Sequence, residues 1–439
     1  MAVFYPHDRQ GFTDSLWSAT AIPALDLSPL DDDQDADVAI IGGGFTGLST
    51  ALHLTVKGTR VSVLEAGEPG WGASGRNGGQ VNPGLKYDLD GLIPLVGREM
   101  AERMIPFADD TVDFLFALID RLGLDCDAGR GGFVYGAHAK GALPVLEAKA
   151  ARLNARGIQA KILDRDETAA ITGTDWYRGG FFDPRGGTLQ PLSLARGLAK
   201  AAVDAGARIY SQTAAASIRR DGGRWRVTAE NGASVTASRV LVCTNGYSDL
   251  TGIAGGVARS VVPFYSYQVA TEPLSDNILK TLPKQGVGVS ETRQILTYYR
   301  VDAGGRFLLG ARGHLDGSLD APAFDRAKSR LRELFPHVAD AKLDFHWNGR
   351  VAVTTDSLPR VFELEDGVFA ALGWNGRGVA ITTAIGPHLA ALLSDDARDD
   401  FPLPISPVRE IPFHWLRRPA AGLAVTLKDR QDQRERAAG

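Results

Sequence analysis

The chain has 439 residues, of which 44% are hydrophobic and 23% charged, and a formal net charge of −4. At roughly 100–200 residues per domain, this is enough for two domains, or three, with ordinary globular cores. Lys and Arg are scattered, so no basic nucleic-acid surface or membrane-attracting patch is expected; no apolar run reaches the roughly 18–20 residues that cross a bilayer, and residues 1–15 lack the basic start and apolar stretch of a signal peptide.

Residues 1–36 read as an irregular arm that ends in the acidic run Asp31-Asp32-Asp33-Gln34-Asp35, a solvated linker on its composition. Order begins at Asp37. Val38-Ala39-Ile40-Ile41 is a continuous apolar run, as in a strand buried on both faces of a parallel sheet. After a glycine turn, Leu48, Ala51, Leu52 and Val56 recur at helical spacing as far as Lys57-Gly58. A second strand runs from Arg60 to Glu65, completing a βαβ unit. Helices are expected at residues 97–122, 142–156 and 191–205, and a strand at residues 131–135. Alternating stretches at 214–218, 224–229 and 234–237, separated by Asp221-Gly222-Gly223 and Asn231-Gly232, read as an antiparallel meander. Arg239-Val240-Leu241-Val242-Cys243 reads as a further buried strand leading into Thr244-Asn245-Gly246. Residues 261–348 carry Tyr-rich strands, and a last strand and helix over about 367–393 flank the glycine-rich turn at residues 373–378. The tail after 400 is Pro-rich, then basic and polar. The two cysteines, Cys126 and Cys243, form no metal-ligand cluster, so no metal is expected. Two free thiols in a reducing cytoplasm are the favoured reading over a disulfide.

The spacing Gly42-x-Gly44-x-x-Gly47 is informative because it follows an apolar strand and opens a helix. Gly42 permits the tight turn, Gly44 lets backbone approach a pyrophosphate, and Gly47 lets the helix pack close to the strand. The helix N-terminus then offers N–H groups and partial positive charge to phosphates. Glu65, 18 residues after Gly47, stands where a carboxylate accepts from an adenosine ribose. A carboxylate there disfavours a 2′-phosphate and leaves NAD or FAD.

Three features favour FAD. The small-residue loop Ala73-Ser74-Gly75-Arg76-Asn77-Gly78-Gly79-Gln80 follows Glu65 within fifteen residues, and suits backbone lying against a flavin and its phosphates. The meander interrupts the sheet where an NAD domain would continue with βα units. The turn from Gly373 to Val379 offers backbone N–H groups to the flavin's N1/C2 oxygen edge.

The segments Asp37 to Ser49, Gly72 to Gln80, Gly186-Gly187 through Pro191-Leu192, Trp347-Asn348-Gly349 and Gly373 to Val379 together resemble the D-amino-acid-oxidase-type FAD oxidoreductases, in that family's order and over most of the chain. Within it the chain most resembles the gamma-glutamylputrescine oxidoreductase group. The resemblance implies an α/β chain: a Rossmann-type FAD domain (glutathione-reductase-like βαβ plus meander) and a discontinuous α+β substrate domain whose large antiparallel sheet roofs the isoalloxazine. The division expected is residues 37–95, 188–262 and 350–399 for FAD, residues 96–187 and 263–349 for substrate, with 1–36 an arm and 400–439 a tail. The cofactor contacts expected are Gly42, Gly44, Phe45, Thr46, Gly47, Glu65 and Ala66; Ala73, Ser74, Gly75, Arg76, Asn77, Gly78, Gly79 and Gln80; Thr244, Asn245 and Gly246; Trp347; and Gly373, Gly376, Arg377, Gly378 and Val379.

Departures from the family bear on substrate. Members that oxidise α-amino acids hold the carboxylate with a cation, yet the matching positions here are Val351, Gly376 and Ala380, unless Arg300, Arg312, Arg350 or Arg377 substitutes. The position of a flavin-linking Cys reads Val351-Ala352-Val353, so FAD is expected to be non-covalent, and an oxygen-activating Lys is replaced by Leu308. Candidate pocket aromatics are Tyr265 and Tyr267, Tyr298 and Tyr299, and Trp374, with Tyr267, Tyr299 and Trp374 carried as catalytic-site candidates; His346 reads as structural. The expected reaction is oxidation of the C–N bond of a small amine by hydride transfer to flavin N5, followed by imine hydrolysis, with oxygen or a quinone or electron-transfer partner as acceptor. The alternatives are an amino-acid or N-methyl-amino-acid oxidase or dehydrogenase, and a non-catalytic flavin-binding subunit.

Overall fold

A computed structural model describes residues 12–253, 255–313 and 315–438. Its first sheet has nine strands. At the centre Gln34–Ile41 lies between Val61–Leu64 and Ser234–Val242, in parallel register with both. Val368–Leu372 and Arg208–Tyr210 extend the parallel run on either side. The apolar run Val38 to Ile41 is buried throughout: Val38 and Ile40 pack with the helices, and Ala39 and Ile41 with Trp225 and Val227 of the meander. Helix Phe45–Val56 packs between Pro191–Asp204 and Gly386–Asp395.

The two strand segments expected at 234–237 and 239–243 are one strand, Ser234–Val242. Its first half pairs antiparallel with Arg224–Ala229, and its last three residues pair parallel with Val368–Leu372. Ser238 and Arg239 fall between these two neighbours, so the polar break in the pattern marks a change of partner rather than a chain reversal. The last helix, expected to be continuous, is two: Gly378–Ala384 and Gly386–Asp395, with Pro387 opening the second.

The second sheet has eight strands, in the order Leu343–Val353, Val262–Pro273, Arg306–Arg312, Thr297–Val301, Gly288–Glu291, Phe133–Gly136, Gly180–Asp183 and Lys161–Leu163. All its pairs are antiparallel except Phe133–Gly136 with Gly288–Glu291. The boundary expected at 349/350 falls inside the continuous strand Leu343–Val353.

The arm is more structured than its composition suggests. It forms the short helix Leu16–Thr20, and Trp17 is 1% exposed in a cluster with Phe12, Leu192, Leu308 and Trp347. The acidic run is exposed, yet Asp33 accepts from the Ser234 backbone N–H, and Asp33 and Asp35 pair with Arg226 and Arg224. Beyond residue 400 the chain adds a short strand, Ile405–Ser406, and the 21-residue helix Arg417–Ala437. No described helix is long and apolar enough to cross a membrane.

Candidate active site

A continuous cleft, about 2240 Å³ including the part open to solvent, runs from the carboxyl ends of the parallel strands to the face of the second sheet. Ile41 and Gly42, Leu64 and Glu65, and Cys243 and Thr244 line its floor, as ligand sites of open parallel sheets require. Gly42 has φ +109°, and a Cβ at Gly47 would stand 2.1 Å from the Gly42 carbonyl oxygen, so neither position admits a side chain. Gly44, at the helix N-cap, has no side chain to occupy the first-turn N–H groups. The Glu65 carboxylate accepts from Gly43 N–H at 2.6 Å and Gly67 N–H at 2.8 Å. Burial pushes its pKa up, and those two donors pull it back toward the ionised form.

The loop at 72–80 is held from every side. Ser74 Oγ accepts from Phe45 N–H at 3.0 Å, and Asn77 Oδ1 accepts from Gly79 N–H at 2.8 Å. The Asn77 carbonyl accepts from Trp17 Nε1 at 2.7 Å. The Arg76 carbonyl accepts from Gln268 Nε2 at 2.6 Å and Trp347 Nε1 at 3.0 Å. The Arg76 guanidinium is itself buried, donating to the Trp71 carbonyl and stacked near the rings of Phe12 and Trp71. Gln80 Nε2 donates to the carbonyls of Val289 and Tyr299, tying the loop to the second sheet. The turn near the C-terminus is fixed likewise: Asn245 Oδ1 accepts from Gly373 N–H at 2.9 Å and Asn375 Oδ1 from Thr354 N–H at 2.9 Å.

Phe264, Ser266, Gln268, Tyr298 and Arg312 present the second sheet's face to the cleft. Tyr298 Oη and Ser266 Oγ share a 2.9 Å hydrogen bond, and burial pushes the Tyr298 phenol up to about 12. Tyr267 and Tyr299, expected at the site, turn to the other face. Tyr267 packs on Phe324, and Tyr299 on Phe307 and Phe335, in the core under the sheet. Side chains alternate along a strand, so a reading one position off puts every candidate on the wrong face. Tyr265 is buried there too, accepting from Arg350 Nε at 2.9 Å, and His346 packs edge-on against Phe324. Trp374 does line the cleft.

The sequence pattern of the DAO family, FAD dependent oxidoreductase, matches residues 37–392. The chain belongs to this family. It is 33% identical over 374 residues to a probable oxidoreductase OrdL of Haemophilus influenzae, covering 84% of this chain and 86% of that protein. It is 30% identical over 410 residues to gamma-glutamylputrescine oxidoreductase of Escherichia coli, covering 91% and 95%. Among solved structures it resembles the fold of glycine oxidase from Geobacillus kaustophilus, with TM-score 0.70 and 23% identity over 82% of this chain and 95% of that one.

As a member of this family, the chain is an FAD-dependent oxidoreductase. The cradle fits the cofactor: a side-chain-free turn, a helix start whose N-cap glycine supplies no cap and whose Phe45 N–H is answered by Ser74 Oγ, and a carboxylate with lone pairs left for ribose hydroxyls. Of the expected contacts, Gly42, Gly44, Phe45, Thr46, Glu65, Ala66, Ala73, Ser74, Arg76, Asn77, Gly78, Gln80, Thr244, Asn245, Gly376, Arg377, Gly378 and Val379 line the cleft. Gly47, Gly75, Gly79, Gly246, Gly373 and Trp347 stand behind it and shape the loops. Trp347 is fully buried, its indole N–H bound to the Arg76 carbonyl. Phe264, Ser266 and Gln268, which alternate along one strand with Tyr265 and Tyr267, also line the cleft, as do residues 294–296, which carry no local signal in the sequence.

Proposed function

We propose that this flavoenzyme oxidises a C–N bond in a small amine, with non-covalent FAD held by the glycine turn, Glu65, the 72–80 loop and the 373–379 turn. When bound, FAD supplies the two-electron acceptor for a hydride leaving the carbon next to nitrogen; water then converts the resulting imine to a carbonyl compound and a free amine or ammonia. The observation that carries the reading is the charge of the walls. Among the described residues the cleft is lined by four arginines, Arg76, Arg312, Arg350 and Arg377, and by one carboxylate, Glu65, with no His or Lys. Glu65 follows the strand Val61–Leu64 at the carboxyl end of the sheet, where it would hold the ribose of FAD. The rest of the cleft therefore offers no side chain to act as a base at neutral pH, and its cations disfavour a protonated ammonium. A neutral amine is the form from which hydride can leave, so the chain's task is to orient it and keep out water. Phe264, Ile295, Tyr298 and Trp374 supply the apolar walls. Val351 and Gly376, where amino-acid oxidases of this family carry a cation, line the cleft uncharged, which favours an amine over an α-amino acid.

The test is anaerobic mixing of the FAD-loaded protein with a panel of amines and amino acids, following loss of flavin absorbance. Amines are expected to bleach it, with a rate that rises with pH along the substrate's own amine titration. Bleaching by α-amino acids alone would favour an amino-acid oxidase, and none by any compound would favour a non-catalytic flavin subunit. Hydrogen peroxide on readmission of air distinguishes oxygen from a quinone or electron-transfer partner as acceptor.

A further inference from the structure

We infer that Arg312 is an anion-binding residue of the substrate pocket, and that the substrate carries a carboxylate in addition to the amine that is oxidised; this rests on the amine reading above. Of the four arginines lining the cleft, three are engaged. The Arg76 guanidinium donates to the Trp71 carbonyl. Arg350 donates to Asp249 Oδ1 at 2.7 Å, to Tyr265 Oη at 2.9 Å and to the Gly246 carbonyl. Arg377 donates to Asn82 Oδ1 at 3.2 Å and to the Pro83 carbonyl. Arg312 makes no ion pair or hydrogen bond with any described residue, and its Nε is buried without a partner. Its guanidinium lies 4.0 Å from the Phe264 ring centroid and is half-buried. The charge that acts on it is that of another cation, Arg326, whose own partner is Asp429. Burial accordingly lowers the Arg312 pKa to about 10. Arg300, another cation of that sheet, packs over Trp17 outside the cleft, and Arg306 pairs with Asp344.

A guanidinium withdrawn from water without an acceptor is costly, and a carboxylate is the group its planar fork matches. The Phe264 ring lies against the guanidinium and restricts it, so less is lost in ordering it when an anion arrives. Arg312 is paired across the sheet with Ser266, and the Ser266 and Tyr298 hydroxyls stand beside it in the cleft wall. One planar cation with neutral hydroxyls suits a monoanionic carboxylate better than a phosphate, which calls for several donors. Val351 and Gly376 are uncharged, so the carboxylate is held from Arg312 and not from those positions.

The FAD-loaded protein is titrated with propionate and with propionamide, following the perturbation of flavin absorbance, for the wild type, Arg312→Met and Arg312→Lys. Propionate is expected to give a saturable change and propionamide none. Arg312→Met should weaken propionate roughly 10- to 100-fold, the worth of a charge-assisted hydrogen bond in a half-buried site, with Arg312→Lys between the two. The thermal midpoint of Arg312→Met should equal or exceed that of the wild type, because an unanswered cation has been removed. Absence of a propionate response in the wild type, equal affinity in Arg312→Met, or a lower midpoint without loss of affinity would each overturn the inference. Failure of the amine reading shows separately, as a flavin that responds to propionate yet is reduced by no amine.

Discussion

At Gly47, where the helix crosses the first strand, the backbone of Gly42 leaves no room for even a methyl group. Gly47→Ala is expected to cost about 1–3 kcal/mol or more, because the atom it meets is backbone and has no rotamer to yield; differential scanning calorimetry with and without FAD measures it. Glu65→Gln keeps the shape but leaves one of the two N–H donors, Gly43 or Gly67, facing an NH₂ group. An unanswered buried donor costs about 1–3 kcal/mol, and loss of FAD on gel filtration reports it. These residues were legible in the sequence because their spacing is local and the chemistry of phosphate binding dictates it. The pocket tyrosines were not. Composition located the right strand at 262–273, but only pairing across the sheet decides which of Tyr267 and Gln268 reaches the cleft. A one-residue error in parity then moved two of the three catalytic candidates into the core.

At the scale of elements, the C-terminal helix does most that its sequence did not announce. Asp432 is 2% exposed, and its two oxygens accept from the backbone N–H groups of Gln294 at 2.9 Å and Ile295 at 3.0 Å. Those residues belong to the turn between Gly288–Glu291 and Thr297–Val301, which lines the cleft. Glu435 bonds His138, Arg436 donates to the His138 carbonyl, and Asp429 pairs with Arg326 and Arg330. Asp432→Ala should unprotect the Gln294 and Ile295 amides in hydrogen exchange and cost about 1.5–3 kcal/mol, the range for hydrogen bonds to a charged group. Residues 417–437 read as a basic, polar tail because each anchor lies more than ninety residues away in sequence. The helix Leu143–Asn154 carries a pH response. Lys149 lies 4.3 Å from the Tyr135 ring centroid and 4.8 Å from that of Phe181, and burial, with Arg377 nearby, lowers its pKa to about 7. An unfolded lysine titrates near ~10.4, so between those values the unfolded chain binds more protons and stability rises with pH. The contribution is complete above about 10 and lost as pH falls through about 7. Lys149→Met should flatten this slope in thermal midpoints taken across that window.

Across the whole molecule, the parallel sheet could be anticipated because buried central strands are continuous apolar runs flanked by turn signals. The eight-stranded sheet was expected as a large antiparallel one, but its strand order was not readable, since residues 133–136 pair with 288–291 across some 150 residues of chain. What joins the two halves is the segment that looked least ordered. Phe12, Leu16 and Trp17 close a cluster with Leu192 from a helix of the first layer and Ala270, Leu308 and Trp347 from the second sheet. Trp17 meets Trp347 edge to face at 5.8 Å, and its indole N–H holds the Asn77 carbonyl of the 72–80 loop. Gln190 Nε2 donates to the Trp17 carbonyl from beneath. Trp17→Ala therefore removes the shared contact of both layers and the loop, at about 3–5 kcal/mol for a fully buried aromatic. Because the loss falls where the layers meet and spares each layer's own core, the variant should release FAD at a temperature below that at which its helices melt. Flavin fluorescence and far-ultraviolet circular dichroism, which should coincide in the wild type, should separate in Trp17→Ala; coincident transitions in the variant would show that the arm merely covers the surface.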